Sequence, residues 1–324
     1  MTSNSTNNVK RRGIVYVYGF EWCNPNGDPT FDNEPRIFNG KLYVTDVFLK
    51  RRLRDYVDSS VEDKESFQIF VKEEIKSDGS RKTPEERLRE ICNITDNQSN
   101  LNVQTAKDTL IKKCWDIRVF GCMIPLPQAS GNGGEEKGKA IKLIGPVQAS
   151  FGISLNEVEK LDVSITNVLA TEKEAKGGAI GRKYVVPVAI VEHYIFVNDV
   201  SAKETGMSEE DYSKLLEGLR NLKLSPTLST SSKNSTPILI AEVLFGDNKY
   251  ANLSGLIEVS AIKEFPLVLR DYILDCSKLI QKINELSNNQ GKKVIEDFKF
   301  YIKSEFYDIV RGLDGISQDK LERF

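Results

Sequence analysis

Two long runs of β-branched and aromatic residues constrain this chain most. Gly13 to Trp22 reads GIVYVYGFEW, and Tyr184 to Asn198 reads YVVPVAIVEHYIFVN. Both alternate with the period of a strand, and both are long for one, so the chain must build a sheet around them. The first run ends in Asn24-Pro25-Asn26-Gly27-Asp28-Pro29. Two prolines and an Asn-Gly step there specify a tight, rigid loop.

Around these runs the expected order is strand, helix, long insertion, several strands, helix, paired strands, then helices. A helix is expected over Thr45 to Asp58, with Thr45 or Asp46 as its N-cap. At 100° per residue Leu49, Leu53, Tyr56 and Val57 form one stripe. Lys50, Arg51 and Arg54 fall opposite, and Arg52 flanks the stripe. Residues 60–112 are charged and poor in strand signals. They read as a helical insertion, with a helix starting at Thr83-Pro84-Glu85-Glu86 and a mobile loop at Ser77-Asp78-Gly79-Ser80. Trp115 to Phe120, Gly145 to Ser154 and Leu161 to Leu169 read as strands. Met207 to Leu222 reads as a helix, Pro237 to Phe245 and Leu256 to Ile262 as strands, and Arg270 to Ser287 and Val294 to Arg311 as helices. Two glycine-rich stretches, 125–139 and 176–183, read as loops. No repeat with a period of 20–50 residues is visible.

The order favours an α+β fold with an antiparallel sheet over a doubly wound parallel one. The expected organisation is a disordered tail at 1–12, a sheet domain at 13–59 and 113–262, a helical insertion at 60–112, and a C-terminal helical segment at 263–324.

The chain has 324 residues, 40% of them apolar and 28% charged, and a formal net charge of −2. That balance excludes a uniformly basic nucleic-acid sleeve and restricts any such binding to a local patch. Residues 137–183 hold eight Lys/Arg against five Asp/Glu, a local excess of +3. No apolar run approaches the ~20 residues of a membrane span, and no apolar leader precedes a cleavage site; a cytoplasmic protein is expected. Five cysteines, an odd number without a CxxC pair, point to incidental thiols and not to a disulfide frame or zinc site.

One histidine, His193, lies in an alternating strand-like run and reads as structural. The phosphate-loop pattern GxxxxGK[ST], GxGxxG, HExxH and GxSxG are all missing. No cofactor and no metal are expected.

What remains suits a polyanion. Lys50, Arg51 and Arg54 present either a solvated helix face or a phosphate-binding one. Arg182-Lys183, after three glycines, are either surface cations of a hairpin or a backbone-lined phosphate contact. Asn24 to Pro29 are either a rigid turn or a loop holding amide groups beside a ligand. Asp28 alone is a weak candidate for positioning a metal or a ribose hydroxyl.

These residues resemble a known family. Asn24-Pro25-Asn26-Gly27-Asp28-Pro29, Pro35-Arg36 and Val44-Thr45-Asp46-Val47-Phe48-Leu49-Lys50-Arg51 look like the N-terminal signature of the backbone subunits of type I CRISPR Cascade complexes. This is the Cas-seven, or DevR-like, group of a repeat-associated RNA-binding (RAMP) superfamily. Trp115-Asp116-Ile117-Arg118-Val119-Phe120-Gly121, Gly145-Pro146-Val147-Gln148-Ala149-Ser150-Phe151-Gly152 and Gly181-Arg182-Lys183-Tyr184-Val185-Val186-Pro187 follow in the family's order. The resemblance spans residues 13 to about 260, and subtype I-B is the nearest.

The resemblance implies an RRM-like (ferredoxin-like) palm with inserted helical fingers and a thumb hairpin, the thumb being either 123–148 or 171–187. It implies a non-catalytic subunit that polymerises along a CRISPR guide RNA (crRNA) and presents it to target DNA. Implied partners are other copies of the chain, a Cas-five RAMP subunit, a large subunit and a guide-processing RAMP nuclease. Family RNA contacts, carried over by position, fall on Asn24, Asn26, Arg36, Lys50, Arg51, Gln148, Arg182 and Lys183. Arg54 joins them from the helical-face argument. Two other readings stay open: a type III-like endoribonuclease using Asp28 or Asp32, and a ferredoxin-like interaction protein without nucleic acid.

Overall fold

The computed structural model describes residues 9–94, 102–125, 140–166, 180–222, 235–288 and 293–324. The glycine-rich segment 131–134, the tips of both candidate thumbs and most of the N-terminal tail lie outside them. The chain divides into two compact units. One comprises residues 1–12, 50–148 and 196–219, the other 13–49, 149–195 and 220–324. Mixed α/β structure runs through both, and the main sheet is dominated by antiparallel pairing.

The sheet explains the two long runs. Its strands lie in the order Leu321–Arg323, Ile295–Ile302, Ser235–Phe245, Arg12–Cys23, Ile180–Val197, Gly152–Ser154, Lys41–Val44 and Ile37–Phe38. Arg12–Cys23 and Ile180–Val197 are the adjacent central pair. Every residue from Gly13 to Phe20 is buried, so this strand is covered on both faces. Tyr16 and Tyr18 stack at 5.0 Å, and Tyr18 stacks on His193 at 5.6 Å.

His193 is fully buried. Its Nδ1 donates to the carbonyl of Ser150 at 2.9 Å, which leaves Nε2 to accept the Tyr18 hydroxyl at 3.0 Å. Burial pushes its pKa down to about 4, so the ring is neutral in the core. Gly152 permits this packing, because a Cβ there would come within 2.3 Å of His193 Nε2.

The C-terminal expectation is corrected. Val294 to Arg311 is not a helix: Ile295–Ile302 is a strand paired antiparallel with Ser235–Phe245, Ala241 opposite Phe300. Its sequence, IEDFKFYI, spaces charges in a way that mimics a helix face. The aromatic and β-branched residues instead fill the sheet, with Ile295, Phe300, Tyr301 and Ile302 buried. Tyr272–Asp275 is also a strand, and among the described residues of this segment only Ser277–Asn288 is helical in the α sense. Among the described strand pairs, Ile295–Ile302 with Leu321–Arg323 and Tyr272–Asp275 with Val310–Arg311 are parallel. Gly145 to Ser154 forms two short strands, Val147–Ala149 and Gly152–Ser154, instead of one.

In the other unit, helices Pro84–Ile91 and Val103–Lys113 pack with the hairpin Gly121–Pro125/Ala140–Ile144. Phe70, Leu88, Leu110, Ile117, Ile124 and Ile141 share one core there. Thr83 and Glu86 cap the first of these helices reciprocally, as the Thr-Pro-Glu-Glu signature requires. The expected mobile loop at Ser77–Ser80 is a hydrogen-bonded turn: Lys76 N donates to Ser80 O at 2.8 Å, and Asp78 accepts from the Ser80 amide and hydroxyl.

Trp115–Phe120 is corrected from strand to helix. The alternation of polar and apolar residues imitates a half-buried strand. All of Trp115 to Val119 are buried, however, because Asp116 and Arg118 are satisfied by hydrogen bonds and not by water.

Candidate nucleic-acid interface

The loop after the first strand is a pre-locked structure. Asn26, Asp32 and Asn33 adopt left-handed backbone conformations, which Asn and Asp tolerate best among non-glycine residues. Asp28 and Glu34 bridge, with Asp28 N donating to Glu34 O at 2.8 Å and Asn33 N to Asp28 O at 2.9 Å. Gly27 is required by close approach, since a Cβ would lie 2.5 Å from the Asn33 carbonyl.

Asp28 is the hub. Its Oδ1 accepts from the amide and hydroxyl of Thr30, and its Oδ2 from Arg36 Nη1 at 2.6 Å. Thr30, with Arg36 adding to it, holds this carboxyl below its usual range. Arg36 Nε donates to Asn26 O at 3.1 Å, so the guanidinium spans both ends of the turn.

Two atoms are left over. Asn24 is 6% exposed, and its Nδ2 donates to Asn33 O at 2.6 Å, yet its buried Oδ1 has no partner. Asn26 Nδ2 is also buried and unpartnered. Buried amide atoms without a protein partner are costly, so each keeps hydrogen-bonding capacity that the described side chains and backbone do not use.

A two-stranded ribbon stands next to this loop. Leu161–Thr166 pairs with the start of Ile180–Val197, Ser164 opposite Arg182 and Val163 opposite Lys183. Side chains alternate across a strand, so Arg182 and Lys183 lie on opposite faces of the ribbon. Both are exposed. Tyr184 donates to Asp32 Oδ2 at 3.4 Å, Lys160 pairs with Glu34, and the Lys160 ammonium lies 5.1 Å from the Tyr184 ring centre. These contacts tie the ribbon base to the loop. Lys183 also acts electrostatically on Cys23, just before Asn24. Asn24, Asn26, Arg36, Arg182 and Lys183 therefore belong to one neighbourhood in the unit that carries the sheet.

The helix Asp46–Ser60 starts as expected, with Thr45 Oγ1 accepting the Phe48 amide at 3.3 Å. Its basic side is more structured than a solvated face. Arg51, 45% exposed along its side chain, pairs with Asp55 at 2.8 Å. Arg54 is 12% exposed and donates from Nε to Asp116 Oδ2 at 2.9 Å. Arg52 is buried and does not merely flank the apolar stripe. Lys50 and Arg54 both lie over the Phe120 ring, at 5.9 and 5.0 Å. Gln148 is exposed and donates to Gly145 O at 2.8 Å.

The Trp115–Gly121 motif holds residues whose roles its sequence does not assign. Asp116, fully buried, accepts from Phe70 N, Val71 N and Arg54. Arg118 donates to Asp211, Ser66 O, Ile111 O and Lys112 O. A carboxylate and a guanidinium alternating inside an apolar run is the signal for such buried locks. Among the described residues no group of three or more His, Cys, Asp or Glu side chains converges to hold a metal. No helix among them is long and apolar enough to cross a membrane.

A family model for CRISPR-associated protein Cas7 matches residues 10–277. A protein of Haloferax volcanii described as CRISPR-associated protein Cas7 is 26% identical over 295 residues, covering 86% of this chain and 84% of the relative. Two solved structures share the fold. A chain of a pre-nicking CRISPR RNA-guided surveillance complex has a TM-score of 0.56 and 12% identity, covering 97% of this chain and 96% of that one. A chain of a second CRISPR RNA-guided surveillance complex has a TM-score of 0.50 and 15% identity, covering 96% and 94%. The match over most of its length makes this chain a member of the CRISPR-associated protein Cas7 family.

Proposed function

We propose that this chain is a guide-RNA-binding backbone subunit of a type I CRISPR surveillance complex, of subtype I-B, acting as a scaffold and not as an enzyme. Successive copies line a crRNA and leave its bases to pair with target DNA. The pre-locked loop carries this reading: Asn24 Oδ1 and Asn26 Nδ2 are buried and unfilled beside exposed cations. One unused acceptor and one unused donor in the same loop match the groups of a ribose-phosphate chain, and they read no base sequence. A subunit that must accept any guide needs this indifference, with recognition delegated to pairing.

In this reading the main sheet is an RRM-like palm and residues 60–112 are helical fingers. Of the two candidates, 171–187 is the thumb, its described end paired with Leu161–Thr166. The described residues of this ribbon from Leu161 to Ile165 and from Gly181 to Lys183 are exposed, whereas Ile124, Ile141 and Leu143 of the other hairpin are buried in a core. Asn24, Asn26, Arg36, Lys50, Arg51, Arg54, Gln148, Arg182 and Lys183 contact RNA. Other copies of the chain, a Cas-five subunit, a large subunit and a guide-processing nuclease complete the complex. One weak site per copy becomes strong along a continuous strand. Asp28 supports the scaffold role, because its two oxygens already accept three bonds and its carboxyl is held ionised as a strut.

The test is binding of a labelled single-stranded RNA of mixed sequence across a salt titration. The reading expects affinity that is independent of sequence and falls log-linearly with salt. Cleavage of RNA complementary to the guide, abolished by Asp28→Ala with guide binding intact, would replace the scaffold role by a nuclease. A monomer with no RNA affinity at low salt would leave only an interaction protein.

A further inference from the structure

We propose that Asp116 and Phe120 are positioning residues that hold Lys50 and Arg54 together as one phosphate-binding pair; this rests on the RNA-binding reading. Lys50 and Arg54 stand four residues apart on the helix Asp46–Ser60. Like charges at that spacing repel, and a helix with no use for them would separate them. Here both cations lie over one aromatic ring, Lys50 Nζ at 5.9 Å and Arg54 Cζ at 5.0 Å from the Phe120 centre. The ring's quadrupole offsets part of the repulsion.

Phe120 is itself fixed. Trp115 meets it edge-on, at 5.4 Å and 88°, and Trp115 is fully buried with Nε1 donating to Asp211 O at 3.2 Å. Asp116 sets the plane of the guanidinium. Its carboxylate is immobilised by the amides of Phe70 and Val71, at 2.8 and 2.9 Å, and takes Arg54 through Nε. Engagement through Nε uses one donor of the planar fork and leaves the Nη donors uncommitted to the carboxylate, available to an oxygen pair such as a phosphate. The short helix Trp115–Phe120 thus supplies a buried carboxylate and a ring that hold two like charges close together, an arrangement suited to a polyanion.

The experiment compares the full chain with Arg54→Ala, Phe120→Leu, Phe120→Tyr, Asp116→Asn and the double variant Phe120→Leu/Arg54→Ala. Affinity for a labelled single-stranded RNA is measured over a salt titration, and thermal unfolding reports folding. Arg54→Ala and Phe120→Leu should each weaken binding several-fold, with the salt slope falling by about 0.7 for each phosphate that is no longer neutralised. Phe120→Tyr should restore both, and the double variant should be little worse than either single one. If Phe120→Leu does not unfold cooperatively, Asp116→Asn against Phe120→Tyr decides, the first losing slope and the second keeping it. Wild-type slope in Arg54→Ala, or additive losses in the double variant, would overturn the positioning role while the RNA reading stands on the loop. Absence of RNA binding by the unaltered chain would overturn both.

Discussion

Arg36 closes the first loop on Asp28: its Nη1 lies 2.6 Å from Asp28 Oδ2, and its Nε lies 3.1 Å from the Asn26 carbonyl. A planar fork can hold both acceptors at once, and a lysine ammonium on a flexible stem cannot reproduce that geometry. Arg36→Lys should therefore weaken RNA binding nearly as much as Arg36→Ala, although it keeps the charge. Equilibrium binding at one fixed salt concentration checks this. Full retention of affinity in Arg36→Lys would mean that charge alone matters there.

His193 makes the fold sensitive to acid. Its pKa lies at about 4 in the core against an ordinary 6.5. The unfolded chain therefore binds a proton between those values while the folded chain does not. The contribution is fully present above pH 6.5 and is lost as pH falls toward 4, by about 3 kcal/mol in total. Because the chain has a single histidine, the thermal midpoint between pH 6.5 and 5 reports mainly on this ring. In His193→Gln that part of the profile should flatten, while the midpoint at neutral pH drops through poorer packing.

Arg182 and Lys183 sit on opposite faces of their ribbon, with Ser164 and Val163 as cross-strand neighbours. Charge reversal at the two positions should therefore have unequal effects. Lys183→Glu, whose charge acts on Cys23 just before Asn24, should lower RNA affinity and flatten the salt slope more than Arg182→Glu, whose side chain is engaged by the Tyr184 hydroxyl. Equal losses would show that strand and loop do not share one RNA path.

Arg118 and Asp211 form a buried pair at 2.7 Å, with side chains 9% and 1% exposed. Removing one member leaves an uncompensated charge, so Arg118→Met should cost roughly 3–5 kcal/mol of stability. Chemical denaturation monitored by tryptophan fluorescence measures it, since Trp115 binds the Asp211 carbonyl directly.

Much of the fold is legible in the sequence because its cues are local. β-branched and aromatic runs announce the two central strands, and Thr83-Pro84-Glu85-Glu86 announces a capped helix. Trp115–Phe120 reads as a strand for a physical reason: the groups that bury Asp116 are amides at Phe70 and Val71, some 45 residues away. Ile295–Ile302 reads as a helix because its strand character is conferred by pairing with Ser235–Phe245, a non-local partner. In the candidate interface the sequence points to the loop residues one by one. It does not show that Arg36 and Asp28 brace the loop, that Asn24 and Asn26 keep unfilled amide atoms, or that Arg182 and Lys183 diverge.

As a repeating scaffold, the chain would carry guide RNA along the RNA's whole length. The most direct measurement is the nucleic acid that remains with the chain when it is purified with a CRISPR transcript at low salt. RNA of uniform length, protected from ribonuclease and released by high salt, is expected, in particles that negative stain shows as arcs or filaments. A monodisperse monomer with the absorbance ratio of pure protein would contradict it.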